Sequence, residues 1–162
     1  MIENIQKKIK PELIKKYNQE LINMKPQEML KWGYENFDSQ FAITTSFGIQ
    51  SSVLLNMVSK LCLQRKIKIF WIDTGYLPRE TYQYAEKLIK DLSLEVEVLQ
   101  SELSPARMEA KYGKLWETKK ENDLDKYHEL RKIKPLENGL KNMIFFAGQA
   151  VLDQVKQEIE TK

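Results

Sequence analysis

FAITTSFGIQSSVLLNMVSK, residues 41–60, is the stretch on which the fold turns. Its opening, Phe41, Ala42, Ile43, Thr44 and Thr45, is rich in aromatic and β-branched residues and too short for a helix, so it predicts a buried strand. Ser46, Phe47 and Gly48 interrupt the run. From Ile49 the apolar period changes: Ile49, Val53, Leu54, Met57, Val58 and Leu61 fit one helical face. The unit is strand, tight polar turn, helix. Such a turn aims backbone N–H groups at one spot above the strand's end, where the helix N-terminus adds partial positive charge. Ser46, Ser51 and Ser52 bring hydroxyls, and Gly48 lets a ligand approach the backbone closely. These features imply a site for an anionic group, a phosphate or a sulfate. Many α/β proteins carry similar units that bind nothing, and the pattern alone does not choose between the two. It is neither a Walker A loop nor a GxGxxG dinucleotide turn.

Outward from this unit, residues 3–23 carry helical spacing, with Pro11 placed to open a second helix and Leu13, Ile14, Tyr17, Leu21 and Ile22 as an apolar stripe. Pro26 opens another helix, which reaches Phe37. On the other side, the helix from Ile49 is expected to end at Arg65 and Lys66, whose charges suit its dipole. IKIFWID, residues 67–73, predicts a second buried strand, residues 79–92 a helix, and EVEVL, residues 95–99, a third strand. Strands alternating with helices imply a parallel sheet with right-handed crossovers. A short helix is expected from Ser104 and Pro105 to Lys111. The lysine-rich stretch 114–134 reads as partly helical and mobile, with Trp116 and Tyr127 as isolated aromatics. A helix over 135–142, a fourth strand over 143–147 and a helix over 149–160 complete the chain.

The 162 residues suffice for one domain with a real core, and 42% apolar with 30% charged residues is ordinary for a globular protein. No apolar run reaches membrane-spanning length, and the N-terminus has no secretory h-region. Cys62 is the single cysteine, so an internal disulfide is excluded and a zinc site is not made from cysteine alone. These observations favour the cytoplasm and no membrane. The net charge of +3 matches the excess of seven Lys over four Glu in residues 1–31, and it is too small to argue for nucleic acid.

Asp73, Thr74 and Gly75 follow the second strand as Ser46 follows the first. In doubly wound sheets ligands sit beyond the carboxyl ends of such strands. Asp73 has the chemistry to accept from a ribose hydroxyl or an amine, and Thr74 and Gly75 to donate. The same three residues also suit a plain turn that caps the next helix. Two such turns on neighbouring strand ends favour a nucleotide.

TTSFGIQSSVLLNMV, WIDTGYLPRETYQYAEKL, KYGKLWE, YHELRKIKPLENGLKNM and FFAG, in that order from about Met29 to Gly148, resemble the phosphoadenylyl-sulfate (PAPS) reductases. The resemblance implies an α/β fold with a doubly wound parallel sheet. It is similar to the adenine-nucleotide α-hydrolase (PP-loop, HUP) domains, with four strands in the order 3-2-1-4 and a modified PP-loop over residues 46–52. It implies an N-terminal helical arm over 1–37, a nucleotide-binding domain over 38–148 and a divergent C-terminal helix over 149–162. It further implies an oxidoreductase of sulfate assimilation and cysteine biosynthesis. That family converts PAPS to sulfite and adenosine 3′,5′-bisphosphate with reduced thioredoxin or glutaredoxin as electron donor, without a bound cofactor. The residues expected to hold substrate are Ser46, Phe47, Gly48, Gln50, Ser51, Asp73, Thr74 and Gly75.

Relatives that use adenylyl sulfate carry a Cys-Cys pair and a [4Fe–4S] cluster just before the Arg-Lys segment. Tyr127 and His128 occupy those positions here, so no cluster and no other metal is expected. After FFAG the family continues with phosphate-gripping arginines, whereas Gln149, Ala150 and Val151 follow here. The family then adds a Glu-Cys-Gly-x-His tail that supplies the nucleophilic cysteine. Against that pattern the chain reads as C-terminally truncated, with no catalytic nucleophile. Cys62, between Leu61 and Leu63, is expected to be buried in a helix and inert. Weak nucleotide binding without turnover, or pairing with a full-length homologue as a dimer, then stand beside the reductase reading.

Overall fold

The computed structural model describes residues 11–64, 66–143 and 145–147. The elements are α1 (Pro11–Leu21), α2 (Pro26–Phe37), β1 (Phe41–Thr45), α3 (Ile49–Lys60), β2 (Lys68–Asp73), α4 (Arg79–Leu92), β3 (Val96–Gln100), α5 (Pro105–Tyr112), α6 (Glu121–His128), α7 (Lys134–Gly139) and β4 (Phe145–Ala147). The sheet is parallel in the order β3-β2-β1-β4, as the sequence predicts. Registers such as Ile43 opposite Ile69 and Ile69 opposite Val96 keep like faces together.

Because side chains alternate along a strand, the two sheet faces build two cores. Phe41, Ile43, Ile69 and Trp71 point to one face and pack with Leu30 of α2, Leu54, Leu55 and Val58 of α3, and Ala85 of α4. Ala42, Phe70 and Leu99 point to the other, against Leu140, Met143 and Leu136. Burial on both faces explains why β1 and β2 read as apolar runs rather than alternations. α1 packs on α2 through rings: Tyr17 of α1 lies 5.0 Å from Trp32 and 5.8 Å from Phe37 of α2, edge to face.

Several expectations need correction. α3 ends at Lys60, not at residues 65 and 66. Its buried side is Ser51, Leu54, Leu55 and Val58, and Ile49 is 88% exposed because it opens the helix away from that stripe. Cys62 lies beyond the helix with φ +55 and is exposed, so it is not the buried helical thiol expected. The left-handed turn there directs Leu63 inward instead. β3 spans 96–100 rather than 95–99, which makes Gln100 a strand residue. The helices expected over 3–23 and 149–160 fall wholly or partly outside the described residues; of the first, residues 11–21 form α1.

The stretch 114–134 also differs from expectation. α6 runs without a break through a π-helical turn, Glu129–Ile133, into α7. Trp116 and Tyr127 are not isolated: their rings lie 5.6 Å apart, and Trp116 packs at a tilt 4.3 Å from Tyr76. Pro135 accounts for the π turn. It has no N–H for the Arg131 carbonyl, and its ring would strike that carbonyl in an α-helix. Widening to the longer spacing, with Lys134 N–H donating to the Glu129 carbonyl, relieves the clash.

Candidate functional site

The order β3-β2-β1-β4 reverses direction between β1 and β4, so the topological switch point lies beside the carboxyl end of β1. The loop at 46–48 sits there. Phe47 adopts φ +54, a conformation that costs a non-glycine residue of order 1 kcal/mol or more. Its ring holds that turn down. Phe47 is 3% exposed and meets Trp71 edge to face at 4.9 Å, while its N–H donates to Thr45 Oγ1 at 3.1 Å. Phe47 therefore offers its backbone to the loop and its side chain to the core.

The first turn of α3 follows at once. Gly48 caps it without a side-chain hydrogen bond, and the first intrahelical donor is the Ser52 N–H, to the Gly48 carbonyl. The N–H groups of the first helical residues are thus the usual orphans of a helix start. The Ser46 and Ser51 hydroxyl oxygens lie 3.3 Å apart beneath them. Ser46, Gly48 and Gln50 are exposed, and Ser51 is buried. Donors converge here on an open surface, with no acidic residue in the first turn of the helix. Ser52 is tied elsewhere, donating to the Gly48 carbonyl at 2.9 Å and accepting from the Tyr84 hydroxyl at 3.0 Å.

The second turn lies at the end of the neighbouring strand. Asp73, 8% exposed, is engaged by three protein donors. One oxygen accepts from the Gly75 N–H at 2.8 Å and the Tyr82 hydroxyl at 2.6 Å; the other accepts from Gln100 Nε2 at 2.7 Å. Burial pushes its carboxyl up, but Tyr82, Gly75, Gln100 and the nearby Arg131 together hold it below the ordinary 3.8. The Tyr82 hydroxyl is pushed up to about 12 by burial and by its bond to Asp73. Thr74 is buried, and its Oγ1 accepts from the Tyr76 N–H at 3.3 Å. Gly75 has φ +75, which a side chain would resist. The turn does not cap α4, whose N-cap residue is Pro78.

Sequence reasoning missed the residues that fix this second turn. Arg131 is 2% exposed, and its Nε donates to the Thr74 carbonyl at 2.8 Å. Gln100 falls beyond the strand expected over 95–99, and Tyr82 lies within the helix expected over 79–92. The Arg131–Pro135 spacing was the one available signal, since a proline four residues on forces the helix to re-aim that arginine. Among the described residues no group of three or more His, Cys, Asp and Glu is placed to hold a metal ion. Nor is any described helix long and apolar enough to cross a membrane.

Comparison with known proteins gives these features a context. A phosphoadenosine 5′-phosphosulfate reductase of Synechocystis sp. is 45% identical over 124 residues, covering 76% of this chain and 49% of its own length. The chain spans about half the length of the curated relatives it matches. The crystal structure of a PAPS reductase from Candida auris, in a phosphate complex, superposes with a TM-score of 0.70 at 26% identity, over 86% of this chain and 66% of that one. An NH3-dependent NAD synthetase from Campylobacter jejuni shares the fold alone, with a TM-score of 0.50 at 18% identity over 74% of this chain and 52% of that one. The sequence model of the phosphoadenosine phosphosulfate reductase domain matches residues 40–153, which takes in both turns, the π turn and β4. The chain belongs to that family.

Proposed function

We propose that these residues form the nucleotide platform of a PAPS reductase. On this reading the loop at 46–51 takes an anionic group of PAPS or adenosine 3′,5′-bisphosphate, and the 73–75 turn borders the rest of the nucleotide. The observation that carries it is the uncapped start of α3, with the Ser46 and Ser51 hydroxyls 3.3 Å apart, at the switch point of a parallel sheet. The relative from Candida auris, described as a phosphate complex, adds support. Asp73 then acts through the turn it braces, because its carboxylate oxygens are already engaged by protein donors.

The full reaction reduces PAPS to sulfite with thioredoxin or glutaredoxin as electron donor. Residues 1–162 bring the binding surface and not the attacking thiolate. Cys62 is their single thiol, and it follows the far end of the 12-residue α3. At 1.5 Å per residue that is about 18 Å from the loop. A [4Fe–4S] cluster does not fit: Tyr127 and His128 stand where thiolates would be needed, and the Tyr127 ring packs 5.6 Å from Trp116.

Gly48 allows a clean test. Its φ of −72 and ψ of 172 are open to any residue, and a Cβ there would meet nothing nearer than Ser46 Oγ at 3.5 Å. Gly48→Val should therefore cost the fold little beyond a poorer helix cap, and it obstructs what approaches from outside. Calorimetric titration with adenosine 3′,5′-bisphosphate is expected to show binding by the wild type. Ser46→Ala should weaken it roughly fivefold, the value of one ordinary hydrogen bond, and Gly48→Val should abolish it. Unchanged affinity in both variants, with unchanged melting temperatures, means that the loop is not the site.

A further inference from the structure

We infer that Arg131 is the positioning residue of this nucleotide platform, an assignment that rests on the reading above. The guanidinium reaches from the π turn across to the ends of β2 and β3. Its Nε donates to the Thr74 carbonyl at 2.8 Å, and Nη1 donates to the Leu103 carbonyl. Its Cζ lies 5.2 Å from the centre of the Tyr76 ring. Three pieces of chain are thus joined by one buried cation: the 73–76 turn, the loop after β3 and the long helix. A fixed fork of donors can grip two carbonyls at once, which a lysine ammonium does less well.

The contact leaves no slack. A Cβ on Gly75 would lie 2.8 Å from Arg131 Nη2 and 2.7 Å from Pro105 Cγ, so Arg131 and Pro105 press the turn from one side. From the other side Asp73 holds the Gly75 N–H at 2.8 Å. Tyr76 completes the clamp, because its hydroxyl donates to Glu109 Oε1 at 3.0 Å and its ring packs at a tilt against Trp116. The Thr74 and Gly75 backbone is thereby set in one conformation before any nucleotide arrives, which lowers the ordering cost of binding. Nη2 has no hydrogen-bond acceptor among the described residues, and Arg131 lines a cavity of about 250 Å³ with Asp73, Gln100 and Pro105. Arg131 is aimed by the π turn, and Pro135 compels that turn.

The experiment compares wild type, Arg131→Lys and Pro135→Ala by two measurements. Calorimetry with adenosine 3′,5′-bisphosphate and with inorganic pyrophosphate separates the whole nucleotide from an anion held at 46–51 alone. Amide hydrogen exchange reads Gly75 and Tyr76 against the core strand β1, with no nucleotide present. The expected result is a loss of about tenfold or more in nucleotide affinity in both variants, with pyrophosphate affinity within about twofold of wild type. Gly75 and Tyr76 should exchange faster while β1 stays protected. If Arg131→Lys does not fold, Pro135→Ala, which keeps the guanidinium, decides. Equal loss for nucleotide and pyrophosphate makes Arg131 a merely structural residue and overturns the inference, as does unchanged exchange at Gly75 and Tyr76. Failure of the wild type to bind nucleotide defeats the proposed function instead, and the exchange measurement then judges the clamp alone.

Discussion

Asp73→Ala is expected to destabilise the fold by at least about 3 kcal/mol, since hydrogen bonds to a charged acceptor contribute about 1.5–3 kcal/mol each and three donors lose theirs together. The Gly75 N–H, the Tyr82 hydroxyl and the Gln100 amide all point at this carboxylate, which is 8% exposed, and alanine leaves them facing one another. Arg131 also loses the opposite charge of this carboxylate. Asp73→Asn is milder and tests the charge. Because the folded pKa is depressed, the ionised group's contribution is fully present above the ordinary value of 3.8 and is lost as pH falls through the folded value. The stability gap between wild type and Asp73→Asn should therefore be largest near neutrality and shrink on acidification below 3.8. Urea unfolding at neutral and acid pH measures both effects. A gap that does not change with pH would mean that Asp73 is not held ionised by its neighbours.

Residues 1–162 alone should release no sulfite from PAPS in the presence of thioredoxin, thioredoxin reductase and NADPH. Transfer of the sulfonyl group needs a thiolate in line with the sulfur. Cys62 is exposed, so burial is not the obstacle. Distance is: the thiol lies past the end of α3 remote from the 46–48 loop, and a second copy carries the same thiol in the same place. Adding a segment with the family's Glu-Cys-Gly-x-His motif after Gly148 should bring thioredoxin-dependent sulfite release, a change from background to turnover. Cys62→Ser in that fusion should leave the rate unchanged. Turnover by the 162 residues that vanishes in Cys62→Ser would overturn this account of the chemistry.

Much of the fold was legible because buried parallel strands leave a plain trace. FAITT and IKIFWID are apolar on both faces, and the structure places them side by side at the centre of the sheet. The edge strand was harder to delimit. β3 is mostly exposed, so alternation suggested 95–99, one residue short of Gln100, whose amide completes the Asp73 network. Local pattern also misjudged Ile49 and Cys62, since hydropathy does not reveal where a helix begins and ends relative to its core. The loop at 46–51 was recognisable from its hydroxyls and glycine. The clamp on the second turn was not, because Thr74 and Arg131 meet across 57 positions of sequence. What joins them is a helix widened by a proline, and lysine-rich composition around it reads as a solvated surface.

Backbone amide NMR during titration with adenosine 3′,5′-bisphosphate reads whether the carboxyl ends of β1 and β2 hold an adenine nucleotide. The expected result is saturable shifts centred on the amides of residues 46–52 and 73–76, with those of α1 and of the turn at Cys62 unmoved. Saturable binding whose shifts fall elsewhere, or no shifts at concentrations well into the millimolar range, would contradict it.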